Sequence, residues 1–153
     1  MTSNEHSHKR PADIPQFLYG ATYYPEHWDA GTRKLDGERM AEANFNCVRM
    51  AEFAWDRIEP EEGTYHFELF DRTIAELGDH GISTILGTPT ATPPRWLTAA
   101  HPEVLRVDAA GVPMQHGSRQ HVCPSSDLFR HYSRTIVRAM AEHYADNPHV
   151  VGW

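Results

Sequence analysis

Two glutamates in this sequence follow short apolar runs and lie among aromatic residues. Glu26 belongs to residues 23–28 and Glu52 to residues 49–55. A pair of carboxyl groups can hydrolyse a glycosidic bond, one as acid/base and the other as nucleophile. Tyr and Trp rings would also stack on the C–H faces of a sugar. In the alternative interpretation, Glu26 caps or pairs locally and Glu52 supports a site through hydrogen bonds.

Two arginines are candidates for the same site. Arg49 lies at the end of the apolar run 45–50, where an unpaired charge would be costly. We therefore expect Arg49 to meet a carboxylate, as a structural ion pair, as part of a substrate site, or as both. Arg119 lies in the polar segment 117–121, and its residue type alone indicates no more than a solvated side chain.

Histidine and cysteine residues raise the question of a metal site. His116, His121 and Cys123 are zinc-ligand types within one segment, but they lack the CxxC or HxxxH spacing of zinc sites. Cys123 precedes Pro124 and is not at the start of a helix, where activated thiols are found. We predict no metal and no cysteine nucleophile from this pattern. Cys47, inside an apolar run, is predicted to be a core residue.

The hydrophobic pattern predicts alternating strands and helices. Continuous apolar runs predict four short buried strands, at residues 17–23, 45–50, 82–86 and 150–153. Apolar spacings of three and four residues predict three helices, within residues 33–43, 67–77 and 129–144. A long loop is predicted at 88–123. This order implies parallel strands joined by right-handed crossovers.

The turn after the first predicted strand separates two fold classes. A doubly wound nucleotide-binding sheet needs a glycine-rich turn there, whereas residues 22–28 are bulky and aromatic. In a (β/α)8 barrel, the chemistry lies at the carboxyl ends of the strands, where residues 23–28, 49–55 and 88–123 would be. We therefore predict an α/β fold, a partial (β/α)8 TIM barrel with three β/α units and the start of strand four.

Composition excludes several classes of protein. The 153 residues include 14 Lys and Arg against 21 Asp and Glu, a net charge of −7 with the cations scattered, so no nucleic-acid partner is expected. No apolar stretch approaches the roughly 18 residues of a membrane span. Two cysteines can form at most one disulfide, too few to stabilise a domain of this size. We therefore expect a cytoplasmic protein. Residues 1–15 are predicted to be a disordered lead, and 16–153 the incomplete barrel domain.

Three segments, 19–28, 48–55 and 90–97, resemble the N-terminal part of the glycoside hydrolase family 42 β-galactosidases. Residues 119–124 and 151–153 extend the similarity. The resemblance implies retaining hydrolysis of terminal non-reducing β-D-galactose residues by two glutamates, with no required cofactor. A different retaining TIM-barrel glycosidase and a non-catalytic carbohydrate-binding module remain alternatives.

The resemblance also implies a role for individual residues. The family acid/base glutamate ends the fourth strand, a few residues past the Gly-Trp pair that matches residues 152–153, and the nucleophile lies on a later strand. Glu26 and Glu52 are therefore not the expected catalysts. Arg119 matches the arginine that hydrogen-bonds galactose, and Arg49 and Glu52 match residues of the floor of that subsite.

The resemblance also leads us to expect that the sequence is a fragment, because it stops within an apolar run before either catalytic glutamate. We expect the 153-residue chain to be inactive alone, and prone to aggregate through open strand edges. Cys123 matches a cysteine that, in some members, joins three later cysteines around a structural zinc, so zinc is expected only if a longer chain supplies them. Family members are commonly trimers, which implies a homotrimer for the full-length protein.

Overall fold

A computed structural model describes residues 17–117 and 119–153 of the chain. The predicted lead at 1–15 lies outside the described residues. The described part contains four strands: β1 (Gly20–Thr22), β2 (Cys47–Met50), β3 (Ser83–Leu86) and β4 (Val150–Gly152). It also contains five α-helices: α1 (Ala30–Glu42), α2 (Trp55–Ile58), α3 (Glu68–Asp79), α4 (Arg95–Ala100) and α5 (Asp127–His143).

The four strands form one parallel sheet in the order β1-β2-β3-β4. Each strand pairs with the strand that follows it in the chain, as in a (β/α)8 barrel. A doubly wound sheet would instead reverse its strand order at a switch point. β1 and β4 are the two edges of the described sheet, so each leaves one side without a strand partner.

The two long helices after β2 and β3 pack an apolar face on this sheet. In α3, Phe70, Ile74 and Leu77 are buried at helical spacing. In α5, Ile136 and Met140 are fully buried. Burying such a side chain contributes about 1.5–3 kcal/mol relative to leaving it exposed. These two helices therefore pack against the sheet in one hydrophobic core and hold the strand ends at fixed positions.

Several element boundaries differ from the sequence predictions. Helix α1 begins at Ala30 instead of residue 33, because Asp29 accepts hydrogen bonds from the backbone N–H and the hydroxyl of Thr32 and caps the helix. The predicted buried strand at 17–23 shortens to the three residues of β1, and all three are exposed because β1 is an edge of the described sheet. Arg49 lies within β2 and pairs with Thr22 and Ile85, so it does not belong to the segment that follows the strand.

The predicted long loop at 88–123 is also partly wrong. It contains α4 and two short 3-10 helices, Pro89–Ala91 and Pro102–Val104. Helix α2, in the segment after β2, was not predicted either. Both α-helices have six residues or fewer, and so few residues do not complete the apolar period that identifies a helix in a sequence.

Among the described residues, no helix has both the length and the apolar character needed to cross a membrane.

Candidate active site

The carboxyl ends of the strands, which we call the barrel mouth, carry the candidate residues. After β2 the chain turns sharply at Ala51, whose φ of 76° lies in the left-handed region. This conformation costs a non-glycine residue about 1–2 kcal/mol, and such strain is concentrated at functional sites. The turn directs the next residue, Glu52, back towards Arg49.

Glu52 is the shared acceptor of three hydrogen bonds at the barrel mouth. Arg49 donates to its Oε1 from Nη2 at 2.6 Å and from Nε at 3.0 Å, and the hydroxyl of Tyr24 donates to the same oxygen at 3.1 Å. These bonds to Glu52 raise the pKa of Arg49. The prediction that Arg49 meets a carboxylate is therefore confirmed. Glu52 itself is 9% exposed, so this contact anchors the base of the mouth.

Arg119 approaches the same region from the segment after β3. Its guanidinium carbon lies 4.0 Å from the ring centroid of Phe53, within the range of a cation–π interaction. The Arg119 side chain is exposed, and no hydrogen bond or ion pair joins it to another described residue. A guanidinium has five N–H donors, and those of Arg119 are therefore available to a ligand.

A row of rings leads to Arg119 across the mouth. The ring of His27 lies 5.5 Å from that of Tyr24, and the ring of Tyr24 lies 5.8 Å from that of Phe53. Arg119 contacts the ring of Phe53 in turn. Sequence reasoning did not single out Phe53, and the only signal for it was its place directly after Glu52.

An open cleft of about 360 Å³ lies beside Arg119. This volume falls in the range of small-molecule sites, about 300–1,000 Å³. Its lining includes the aromatic ring of Phe53 together with charged and hydrogen-bonding side chains, among them His27, Asp56 and His116. Such a mixture of one apolar face and several polar groups suits a ligand with hydroxyl groups.

Glu26 does not share that cleft. It follows β1 in the short 3-10 helix Pro25–His27 and lines a separate pocket with Arg33, Arg57 and Arg72. Both carboxylate oxygens of Glu26 are buried and find no hydrogen-bond partner among the described residues. Burial, as the largest cause, raises the pKa of the Glu26 carboxyl group. Neither glutamate lines the cleft beside Arg119, and Glu52 does not line the Glu26 pocket, although the charge of Glu52 also raises the pKa of Glu26.

In residues 17–117 and 119–153, the histidines and cysteines form no metal-binding group. The rings of His116 and His121 lie 5.1 Å apart, and His116 Nδ1 shares a 2.9 Å hydrogen bond with the Thr98 hydroxyl. Burial, the neighbouring His121 and Arg95 lower the pKa of His116. Within the described ranges, no cluster of three or more His, Cys, Asp or Glu residues could hold a metal ion. Cys47 is buried in β2, as predicted for a core residue.

Comparison with known proteins shows the family. A family profile described as "Beta-galactosidase", that of glycoside hydrolase family 42, matches residues 22–153. The β-galactosidase Bga of Halorubrum lacusprofundi is 47% identical over 134 residues, which cover 88% of this chain and 19% of that protein. The solved structure of a polyextremophilic β-galactosidase from the same haloarchaeon has a TM-score of 0.86 at 46% identity, and the match covers 90% of this chain and 20% of that one.

A second solved structure agrees. The cold-adapted β-galactosidase from Rahnella sp. R3 has a TM-score of 0.88 at 38% identity, over 94% of this chain and 21% of that one. The chain thus spans only about a fifth of the length of the relatives it matches, and the prediction of a partial (β/α)8 barrel is confirmed. With its match over residues 22–153, the chain belongs to glycoside hydrolase family 42, the β-galactosidase family.

Proposed function

We propose that this chain is the first part of the catalytic barrel of a β-galactosidase, a retaining enzyme that releases terminal non-reducing β-D-galactose from β-D-galactosides. The names of the relatives support this activity, as does the identity of 47% over 134 residues to one of them. Both catalytic glutamates are expected beyond Trp153. The chain supplies the residues that hold and orient the sugar, and the 153 residues alone have no hydrolytic activity.

The observation that carries this proposal is the unpaired guanidinium of Arg119 beside an open cleft. An arginine paired with a carboxylate has already used part of its donor set, whereas Arg119 presents its N–H groups to a ligand. Galactose offers hydroxyl oxygens as acceptors. A hydrogen bond to a charged group contributes about 1.5–3 kcal/mol, and Arg119 uses such bonds to orient the galactosyl ring for attack.

Arg49 and Glu52 form the floor of the same subsite in this proposal. The carboxylate of Glu52 balances the charge of Arg49 and fixes its guanidinium through Nε and Nη2. The Arg49 side chain is nevertheless 53% exposed. Its Nη1 group and the second hydrogen of Nη2 therefore remain available to a sugar hydroxyl. Tyr24 supports the pair through its own bond to Glu52.

The remaining parts of the proposal concern the setting of the protein. The substrate is a β-galactoside oligosaccharide or glycoside, and the full-length protein is a homotrimer, as the family resemblance implies. A cytoplasmic location is supported by Cys47 and Cys123, neither of which forms a disulfide. A structural zinc at Cys123 remains a prediction for a longer chain that supplies three further cysteines.

Substitution of Arg119 in the full-length protein, of which this chain is proposed to be the first part, tests the proposal. We expect Arg119→Ala to lower kcat/KM for a nitrophenyl β-galactoside by about 10- to 100-fold, because the charged hydrogen bonds to the sugar are lost. Arg130→Ala is the matched control, since Arg130 is exposed on α5 and does not line the cleft beside Arg119. An unchanged kcat/KM in Arg119→Ala would contradict the role of Arg119.

Activity of the short chain is the second test. The 153-residue chain is expected to release no nitrophenol from the same substrate. If the short chain did hydrolyse the substrate, and Arg119→Ala abolished that activity, the placement of both catalytic glutamates beyond Trp153 would be wrong.

A further inference from the structure

We propose that Phe53 is the positioning residue for Arg119, so that the aromatic ring sets the orientation in which the guanidinium meets the sugar. This inference rests on the proposed function, because it concerns the same galactose subsite. The cation–π contact of 4.0 Å is the structural basis, and no hydrogen bond or ion pair joins the Arg119 side chain to another described residue.

Phe53 is held by one contact at its backbone and one at its ring. Its backbone carbonyl accepts a 3.0 Å hydrogen bond from the hydroxyl of Thr92, which belongs to the segment after β3. The ring of Tyr24 lies 5.8 Å away, tilted by 33°, and the hydroxyl of Tyr24 is bound to Glu52. The bond from Thr92 also ties the segments after β2 and β3 together. These contacts place the Phe53 ring beside Arg119.

The backbone that follows Arg119 is fixed at Gln120 and His121, whereas the Arg119 side chain is exposed. The backbone N–H of Gln120 donates to the carbonyl of Ala91 at 2.9 Å, and Gln120 adopts a left-handed φ of 56°. His121, one residue further on, is 1% exposed. These contacts place the backbone of Arg119 near the cleft, but they do not select among the rotamers of a long, exposed side chain. The Phe53 ring supplies that selection.

An aromatic partner suits this task better than a carboxylate. A ring attracts the flat face of a guanidinium, whereas the N–H donors point outward from its edge. Arg119 can therefore be held in place and still donate its hydrogen bonds to a sugar. Glu52, the residue before Phe53, is bonded to Arg49 through Oε1, and no hydrogen bond joins Glu52 to Arg119.

A double-mutant cycle in the full-length protein tests the inference. The variants are Phe53→Leu, Phe53→Tyr, Arg119→Ala and the double variant Phe53→Leu/Arg119→Ala, each assayed with a nitrophenyl β-galactoside. We expect Phe53→Leu to lower kcat/KM about tenfold, mainly through a higher KM, because Arg119 binds the sugar in the ground state as well. Phe53→Tyr keeps the ring and should stay within about twofold of wild type.

The double variant separates positioning from a general structural role. Once Arg119 is absent, Phe53→Leu should change kcat/KM by less than about twofold. An equal loss in both backgrounds, or a loss in Phe53→Tyr as large as in Phe53→Leu, would overturn the positioning role alone. An unchanged kcat/KM in Arg119→Ala would overturn the proposed role of Arg119 and this inference with it. If Phe53→Leu does not fold, Phe53→Met, which is also unbranched at Cβ, takes its place in the cycle.

Discussion

Gly87, the residue that follows β3, lies directly against Glu52. A β-carbon at position 87 would lie 2.5 Å from the Cβ and 3.0 Å from the Cα of Glu52. The backbone N–H of Gly87 also donates to the carbonyl of Met50 at 2.8 Å, which continues the pairing of β2 and β3 into the barrel mouth. Because the segments that follow β2 and β3 approach so closely here, only glycine at position 87 leaves room for Glu52 to reach Arg49.

Replacing Gly87 should therefore disturb the floor of the site. We expect Gly87→Ala to push Glu52 away from Arg49 and Tyr24, to lower the free energy of unfolding by about 1–3 kcal/mol, and to lower kcat/KM. Gly152→Ala is the matched control, because a β-carbon there would meet nothing closer than Ile85 Cγ1, at 3.8 Å. Calorimetry and kinetics measure the two effects. Equal effects of the two substitutions would contradict this account.

The buried carboxyl group of Glu26 should make stability depend on pH. Burial raises its pKa above the ordinary value of 4.5, so the folded state binds the proton more tightly than the unfolded state does. The stability that the protonated group contributes is then lost as the pH rises through the folded pKa. Glu26→Gln removes this titration. We expect its stability relative to wild type to increase as the pH rises above about 4.5.

Thermal unfolding midpoints measured as the pH rises above that value report the effect of Glu26→Gln. Glu42→Gln, at an exposed position of α1, is the control for loss of one negative charge. A difference between Glu26→Gln and wild type that stays constant with pH would show that the Glu26 carboxyl group does not titrate as inferred.

Helix α5 depends on a single capping side chain. The hydroxyl of Ser126 accepts a hydrogen bond from the backbone N–H of Phe129 at 3.3 Å. Ser126→Ala should lower the free energy of unfolding by about 0.5–2 kcal/mol, because that N–H loses its partner. Ser125→Ala, one residue earlier and exposed, should leave it unchanged within about 0.5 kcal/mol. Equal losses in both variants would exclude the cap as the cause.

The open edge at β1 should govern the behaviour of the 153-residue chain in isolation. All three residues of β1 are exposed, and the strand has a partner on one side only. Unpaired strand edges promote association, and a lysine on the edge opposes it. Ala21→Lys should therefore reduce aggregation of the isolated chain, measured by light scattering.

Ala99→Lys adds the same charge at an exposed position of α4 and serves as the control for Ala21→Lys. It should leave the scattering of the isolated chain unchanged. If Ala99→Lys reduced aggregation as much as Ala21→Lys did, net charge would explain the effect and the strand edge would not.

Local patterns were sufficient to predict the four strands and the three longest helices. Phe70, Ile74 and Leu77, for example, recur at helical spacing in the sequence and are buried together in α3. The short helices α2 and α4 were missed because their chain segments are shorter than two turns of periodic pattern. The start of α1 shifted because the Asp29 cap, and not the apolar stripe, decides where that helix begins.

One contact of the candidate site could be predicted from the sequence, and another could not. Arg49 and Glu52 are three residues apart, and the costly burial of a lone charge already predicted that Arg49 meets a carboxylate. The contact between Phe53 and Arg119 joins segments that follow two different strands, and no local pattern indicates it. It exists because parallel neighbouring strands bring their carboxyl ends to one edge of the sheet.

By itself, the sequence determined the α/β alternation, the candidate residues at the strand ends and, through its motifs, the family resemblance. Those properties depend on side-chain type and on spacing within a few turns of chain. The folded structure was needed to show that Glu26 does not line the cleft, that position 87 has no room for a side chain beside Glu52, and that Arg119 contacts the ring of Phe53. Each of these depends on how closely separate strand ends approach, a distance that packing of the whole sheet sets.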